Sequence, residues 1–203
     1  VLASLSLQLH EQRQHSLAVA TEGARHMFNM IVLVRSWNAG HGGVYVPVTE
    51  TVQPNPYLLH PRRDLITRDG LALTMVNPAF MTRQIAELAQ RGEGVLFHIT
   101  SLNPIRPQNA ADAWERGVLN RFERNHLKEY TEIVDTSGRT LLRYMAPLYV
   151  KPPCLACHAQ QGYKDGDLRG GVSISLPYAP IEASVAPARH QAMLSHGLVF
   201  VVV

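Results

Sequence analysis

Apolar residues recur with helical spacing over the first part of the chain. Leu2, Leu5 and Leu9 open the pattern, and Ala20, Ala24, Met27, Ile31 and Val34 continue it in alternating steps of four and three. Gly23 is the one glycine before Asn38, and no proline precedes that point. The spacing therefore predicts one long helix over residues 2–36. Its apolar seam suits either packing on a domain or pairing with a second copy of the chain.

Gly42-Gly43 closes the helical region, and residues 44–48 form a short predicted strand. Pro47, Pro54, Pro56 and Pro61 mark a loop. A second helix is predicted over 78–90, with Asn77 as its cap and Pro78 at its first position. Residues 94–100 alternate as a strand, and 101–109, with two prolines, read as a loop. An amphipathic helix over 112–126 has Asp112 as its cap. Strands over 129–134 and 140–150 join through Asp135-Thr136-Ser137-Gly138, a hairpin turn signal. A last strand over 171–176 leads to an exit helix over 180–197, interrupted early by Pro187. Short strands between long terminal helices define an α+β domain, with helices covering one face of an antiparallel sheet.

Composition changes this picture little. The 203 residues carry a formal charge of +3 and are 46% hydrophobic, enough for a packed core and too apolar for wholesale disorder. The densest basic run is Arg62-Arg63, too small to carry phosphate-driven affinity, so no nucleic-acid partner is expected. Two cysteines cannot build a disulfide framework.

Their spacing is the informative feature. Cys154-Leu155-Ala156-Cys157-His158 reads C-x-x-C-H, the attachment signature of haem c. Two thiols about one helical turn apart can add to the two vinyl groups of one porphyrin, and an imidazole directly after the second thioether lies under the iron. A thioredoxin-type dithiol would want the first cysteine at the head of a long helix; here Lys151-Pro152-Pro153 precedes it and a loop-like stretch follows. A structural zinc site would need two more ligands at similar spacing, and no second cysteine pair exists. A disulfide across two residues is strained.

Covalent haem attachment takes place outside the bacterial cytoplasm, so a periplasmic or otherwise extracytoplasmic location is expected. No signal peptide opens the chain. The closing run Leu198-Val199-Phe200-Val201-Val202-Val203 is too short to span a bilayer, which needs about 20 residues. It reads as the start of a transmembrane helix in a membrane-anchored parent, or as a buried terminal strand.

The stretches Arg35-Ser36-Trp37-Asn38-Ala39-Gly40-His41-Gly42-Gly43-Val44-Tyr45-Val46, Ser101-Leu102-Asn103-Pro104-Ile105-Arg106-Pro107-Gln108-Asn109-Ala110 and Pro153-Cys154-Leu155-Ala156-Cys157-His158 together resemble a family of c-type haem sensor domains. That family, once a domain of unknown function, stands N-terminal in bacterial histidine kinases and diguanylate cyclases, and some members stand alone. The likeness covers roughly residues 20–180. It implies a PAS-like fold, one covalently bound haem c and the sensing of redox state or a diatomic gas. Residues 1–36 would be the signalling helix, 37–178 the haem domain and 179–203 the helix leading to a membrane segment, and the terminal helices would be the surface for a homodimer.

Carried over, Cys154 and Cys157 are the thioether sites and His158 the proximal iron ligand. The second ligand varies in such proteins and is a cysteine in some; no spare cysteine is present here. His41 is the favoured second ligand, because Gly40 and Gly42 flank it at the end of the long helix; His98, Met145 and Met27 are alternatives, as is a vacant position. Arg35, Arg106 and Arg169 are candidate propionate partners, and Trp37 and Tyr45 candidate porphyrin contacts. The expected function is an extracytoplasmic, non-catalytic haem sensor. A periplasmic electron carrier is the alternative. A haem enzyme such as a peroxidase would need positioned acid–base groups, and no residue pairing demands one.

Overall fold

The computed structural model describes residues 2–136, 138–184, 186–187, 191 and 193–194. Helix α1 runs over Leu2–Gly40, four residues past the expected end at 36. Nothing in Trp37-Asn38-Ala39 stops a helix; the stop comes where Gly42 and Gly43 take φ of 70° and 97°, which disfavours side chains. The buried Asn38 ties this end down: its Nδ2 donates to the Val76 carbonyl at 3.0 Å, and its own carbonyl accepts from Gly43 N at 3.0 Å.

Strands β1 (Val44–Pro47), β2 (Asp64–Ile66) and β3 (Ala72–Val76) form an antiparallel sheet in the order β1-β3-β2. Sequence patterning misses β2 and β3. The first is three exposed residues, and the second buries Thr74, Met75 and Val76 in succession, so neither alternates. Helix α2 (Pro78–Glu93) starts on Asn77, whose side chain accepts from Phe80 N, and ends at Gly94 with φ of 70°. Strand β4 (Leu96–Thr100), helix α3 (Ala113–Asn125), the hairpin β5 (Tyr130–Thr136) and β6 (Arg139–Tyr149), the one-turn helix α4 (Leu155–His158) and strand β7 (Leu168–Pro177) follow. Asp112 and Glu115 cap α3 reciprocally, each side chain accepting from the other's backbone N–H. Residues 178–184 are helical, two residues earlier than the predicted exit helix. The closing apolar run lies outside the described residues, and among those described no helix is long and apolar enough to cross a membrane.

The second sheet is antiparallel in the order β4-β7-β6-β5 and has helices on both faces, not one. Tyr144, Ala146, Val172 and Ile174 point to α1, where they meet Ala24 and Ile31; Met145 points the other way, to Val118, Leu119 and Phe122 of α3. The result is an α+β, PAS-like domain. The seam read from the sequence packs on this sheet, with Ala24 fully buried and Ala20, Met27 and Val34 half-buried. It is not free for a second copy. Val19, Met30, Leu33 and Trp37 form a separate exposed stripe on α1.

Polar contacts fix the helix in register. Arg25 Nε on α1 donates to Glu129 Oε2 at 2.8 Å, and the buried Tyr144 hydroxyl donates to the same oxygen at 2.9 Å. The Arg25 hydrogen bond, joined by the Tyr144 hydroxyl, holds the Glu129 carboxyl below its usual range against the effect of burial. Because Ala24 lets α1 approach Tyr144 and Ile174 closely, Ala24→Leu is expected to destabilise the chain by about 1–3 kcal/mol through overpacking. Urea unfolding of the full chain followed by circular dichroism checks this.

Candidate functional site

A cavity of about 560 Å³ lies between α2, edge strand β4 and the loop 101–109, within the roughly 300–1,000 Å³ range of cofactor sites. The segment carrying the C-x-x-C-H motif closes one side. Its placement starts in the strands, where the β6–β7 register shifts between Leu148 and Tyr149 beside Gly170. Gly170 has φ of 154°, and a Cβ there would collide with the Thr100 carbonyl oxygen. Buried Val150 then holds both ends of the excursion, donating to the Asp167 carbonyl at 2.9 Å and accepting from Gly166 N at 3.0 Å. Pro152 and Pro153 start a 3₁₀ turn through Cys154, α4 carries the motif to His158, and a second 3₁₀ turn ends at Gly162 with φ of 86°. These consecutive turns bring Cys157, His158 and Gln161 to the cavity wall. Cys154 lies half-buried one turn back; both thiols are free.

His158 is surrounded by polar groups. Its Nδ1 lies 2.7 Å from Gln161 Oε1 and 3.2 Å from Arg169 Nε. Burial pushes its pKa down, opposed by the Gln161 hydrogen bond and reinforced by the charges of Arg169 and Arg35. The shift favours the neutral imidazole.

The wall is apolar with embedded guanidinium groups. Leu58, Phe80, Phe97, Ile99, Ile105 and Leu148 supply apolar surface. Arg35 reaches in from α1, donating to the Pro78 carbonyl and to Thr82 Oγ1, both at 3.0 Å; burial pushes its pKa down to about 10. Arg169 from β7 and Arg106 from the loop also line the space, Arg106 bonding Asn109 Oδ1 at 3.1 Å. Among the described residues none of these three makes an ion pair with a carboxylate. Arg83 joins them from α2, its guanidinium 4.4 Å from the Phe80 ring centroid and 3.9 Å from Glu87. Sequence reasoning passed over Arg83, although it lies one helical turn from Ala79 and Phe80 on the inward face of α2. Such a wall accepts an amphiphilic ligand with more than one negative charge.

Other residues singled out in the sequence lie elsewhere. His41 is exposed and does not line the cavity; its Nδ1 contacts the Trp37 carbonyl at 2.8 Å and its ring lies 4.5 Å from that of Trp37. The cause is the longer α1, which carries its end past the cavity. Trp37 is exposed, and Tyr45 bonds the Arg62 carbonyl, both outside the cavity lining. Met27 packs in the core under α1 and Met145 in that under α3. His98 belongs to the cavity wall, but both its ring nitrogens are engaged: Nδ1 with Glu115 at 2.9 Å and Nε2 with the Gln108 carbonyl at 3.0 Å.

The fold and site together define an α+β domain with a built cofactor cavity closed by a C-x-x-C-H turn. The sequence profile of the Tll0287-like family matches residues 12–177, and the chain belongs to that family. The crystal structure of the cyanobacterial heme-protein Tll0287 resembles it at 16% identity, covering 80% of this chain and 95% of that one, with a TM-score of 0.47. No curated protein matches the chain.

His98 gives this site a pH signature. The Glu115 hydrogen bond raises its pKa from 6.5, so its contribution to stability is complete below that value and declines as pH rises through the folded pKa. The melting-temperature gap between wild type and His98→Gln is therefore expected to be widest near pH 6 and to narrow toward pH 9 (approximate limits set by the ordinary histidine range). Thermal scans of both proteins across that range measure it.

Proposed function

We propose that the chain binds one haem c and acts as an extracytoplasmic sensor domain for redox state or a diatomic gas. The observation that carries this reading is that Cys157 and His158 share a cavity wall with Arg35, Arg106 and Arg169, which have no carboxylate partner among the described residues. Kinship with a family whose solved relative is described as a heme-protein adds to it. Cys154 and Cys157 would hold the group through thioethers, and His158 would offer Nε2 to the iron. Arg35, Arg83, Arg106 and Arg169 would neutralise the propionates, while the apolar wall excludes water. When bound, haem supplies a one-electron couple and an iron able to take a diatomic ligand.

Sensing is favoured over electron carriage by two placements. Among the described residues lining the cavity, no methionine stands opposite His158, and His98 is committed to Glu115 and Gln108. Arg35 is also the one α1 residue in that lining. A change of charge at the cavity is therefore felt directly by the long helix, which would pass the signal to a membrane-anchored parent. Homodimerisation would use Val19, Met30, Leu33 and Trp37, since the other face of α1 is taken.

Expression with a c-type maturation system tests the assignment. The reduced protein is expected to show a c-type α band and to change its Soret spectrum under CO. The Cys154→Ala/Cys157→Ala variant should release its haem on acid–acetone extraction; retention there, or no α band in wild type, overturns the reading. Arg35→Leu is expected to lower the midpoint potential, because a cation in the cavity wall would favour the ferrous state. A shift of about 59 mV would be a tenfold change in that preference, and potentiometric titration reads it.

A further inference from the structure

We propose that Gln161 is a positioning residue for His158: its side-chain oxygen holds the imidazole in the Nδ1–H tautomer and leaves Nε2 free toward the cavity. Gln161 follows His158 by three residues across the junction of α4 and the next 3₁₀ turn, so the two side chains share one face. Its amide cannot sit either way round. Nε2 donates to the Asn103 carbonyl at 3.2 Å, and a flipped amide would set two carbonyl oxygens against each other. The oxygen therefore faces His158 Nδ1, at 2.7 Å. An acceptor at that distance requires the proton on Nδ1.

Arg169 competes for the same nitrogen. Its Nε–H could donate to Nδ1 at 3.2 Å, but only in the opposite tautomer, with the proton on Nε2. Two features decide for Gln161. Its contact is the shorter, and the Arg169 guanidinium stays held through its other nitrogens, Nη1 donating to Ser101 Oγ and Nη2 to Gln161 Oε1 at 3.3 Å, when Nε donates nothing to His158. His158 Nε2 makes no hydrogen bond among the described residues. The chain of control thus runs from the loop carbonyl of Asn103, through the Gln161 amide, to the nitrogen offered to the cavity.

An acceptor on Nδ1–H makes the imidazole a stronger donor to a metal at Nε2 and favours the higher oxidation state. The part of the proposal that concerns the iron rests on the haem reading; the tautomer does not. Long-range ¹⁵N–¹H correlation spectra of the haem-free full chain at neutral pH are expected to show His158 as Nδ1–H. That state should persist in Gln161→Glu and give way to Nε2–H in Gln161→Leu. A wild-type Nε2–H tautomer, or an unchanged one in Gln161→Leu, overturns the proposal whether or not haem binds. In the haem-loaded protein, Gln161→Glu should lower the midpoint potential and Gln161→Leu raise it, each by up to a tenfold change in ferric-to-ferrous preference, or about 59 mV for one electron. Shifts of the same sign in both variants would mean that the side chain only fills space. Haem absent from wild type would defeat the functional reading alone, since the tautomer measurement stands without it.

Discussion

Arg35 carries a positive charge into the wall between α1 and α2, where the Pro78 carbonyl and Thr82 hydroxyl are its hydrogen-bond partners. Desolvation there opposes the charged form, and Arg169 adds repulsion. A cation so placed must be held by the surrounding structure, because no carboxylate among the described residues pairs with it. The holding is done by the docking of α1: Ala24 and Ile31 sink into the sheet, the Arg25–Glu129–Tyr144 contacts fix the helix along it, and Asn38 anchors its end to β3. That docking sets the unneutralised charge in the cavity wall. It also places the long helix in contact with whatever charge enters.

On the opposite side of the same sheet a buried carboxylate has cationic partners. Glu115, almost wholly buried, accepts from His98 and from Arg143, which also bonds Asp112. Burial alone would push the Glu115 carboxyl up; the His98 hydrogen bond and charge hold it below its usual range. His98 then reaches the Gln108 carbonyl and pins the loop that forms the cavity's outer wall. Helix α3 thus stiffens the site from behind without lining it. The Glu115 carboxylate and the Gln108 carbonyl engage both ring nitrogens of His98, which the sequence offered as an alternative iron ligand from a strand facing the pocket.

Much of the fold was legible because local rules agreed with the final packing. Asn77-Pro78 and Asp112 set helix starts that the structure keeps, and β5 and β6 pair as the expected hairpin, with Asp135 and Thr136 drawn into the ladder opposite Thr140 and Arg139. Strands β2 and β3 stayed hidden because one is exposed throughout and the other buries three residues running, so neither shows period-two alternation. Arg83 stayed hidden for a different reason. An arginine on a surface helix looks solvated until the neighbouring loop closes over it.

By itself the sequence determined the chemistry at one point: two thiols and an imidazole within five residues, a pattern set by covalent spacing and independent of the fold. It also determined the α1 seam, since a helix displays the same stripe wherever it packs. What only the tertiary structure decided was which side chains share the cavity. His41 and Arg35 lie six residues apart on the same chain segment, yet one faces solvent and the other the cavity. That separation follows from where α1 ends and how it rotates on the sheet, and both depend on distant partners in β3, α2 and β7. Gln161 belongs to the same class: a polar residue in a loop by sequence, it acquires its role through Asn103, 58 residues away.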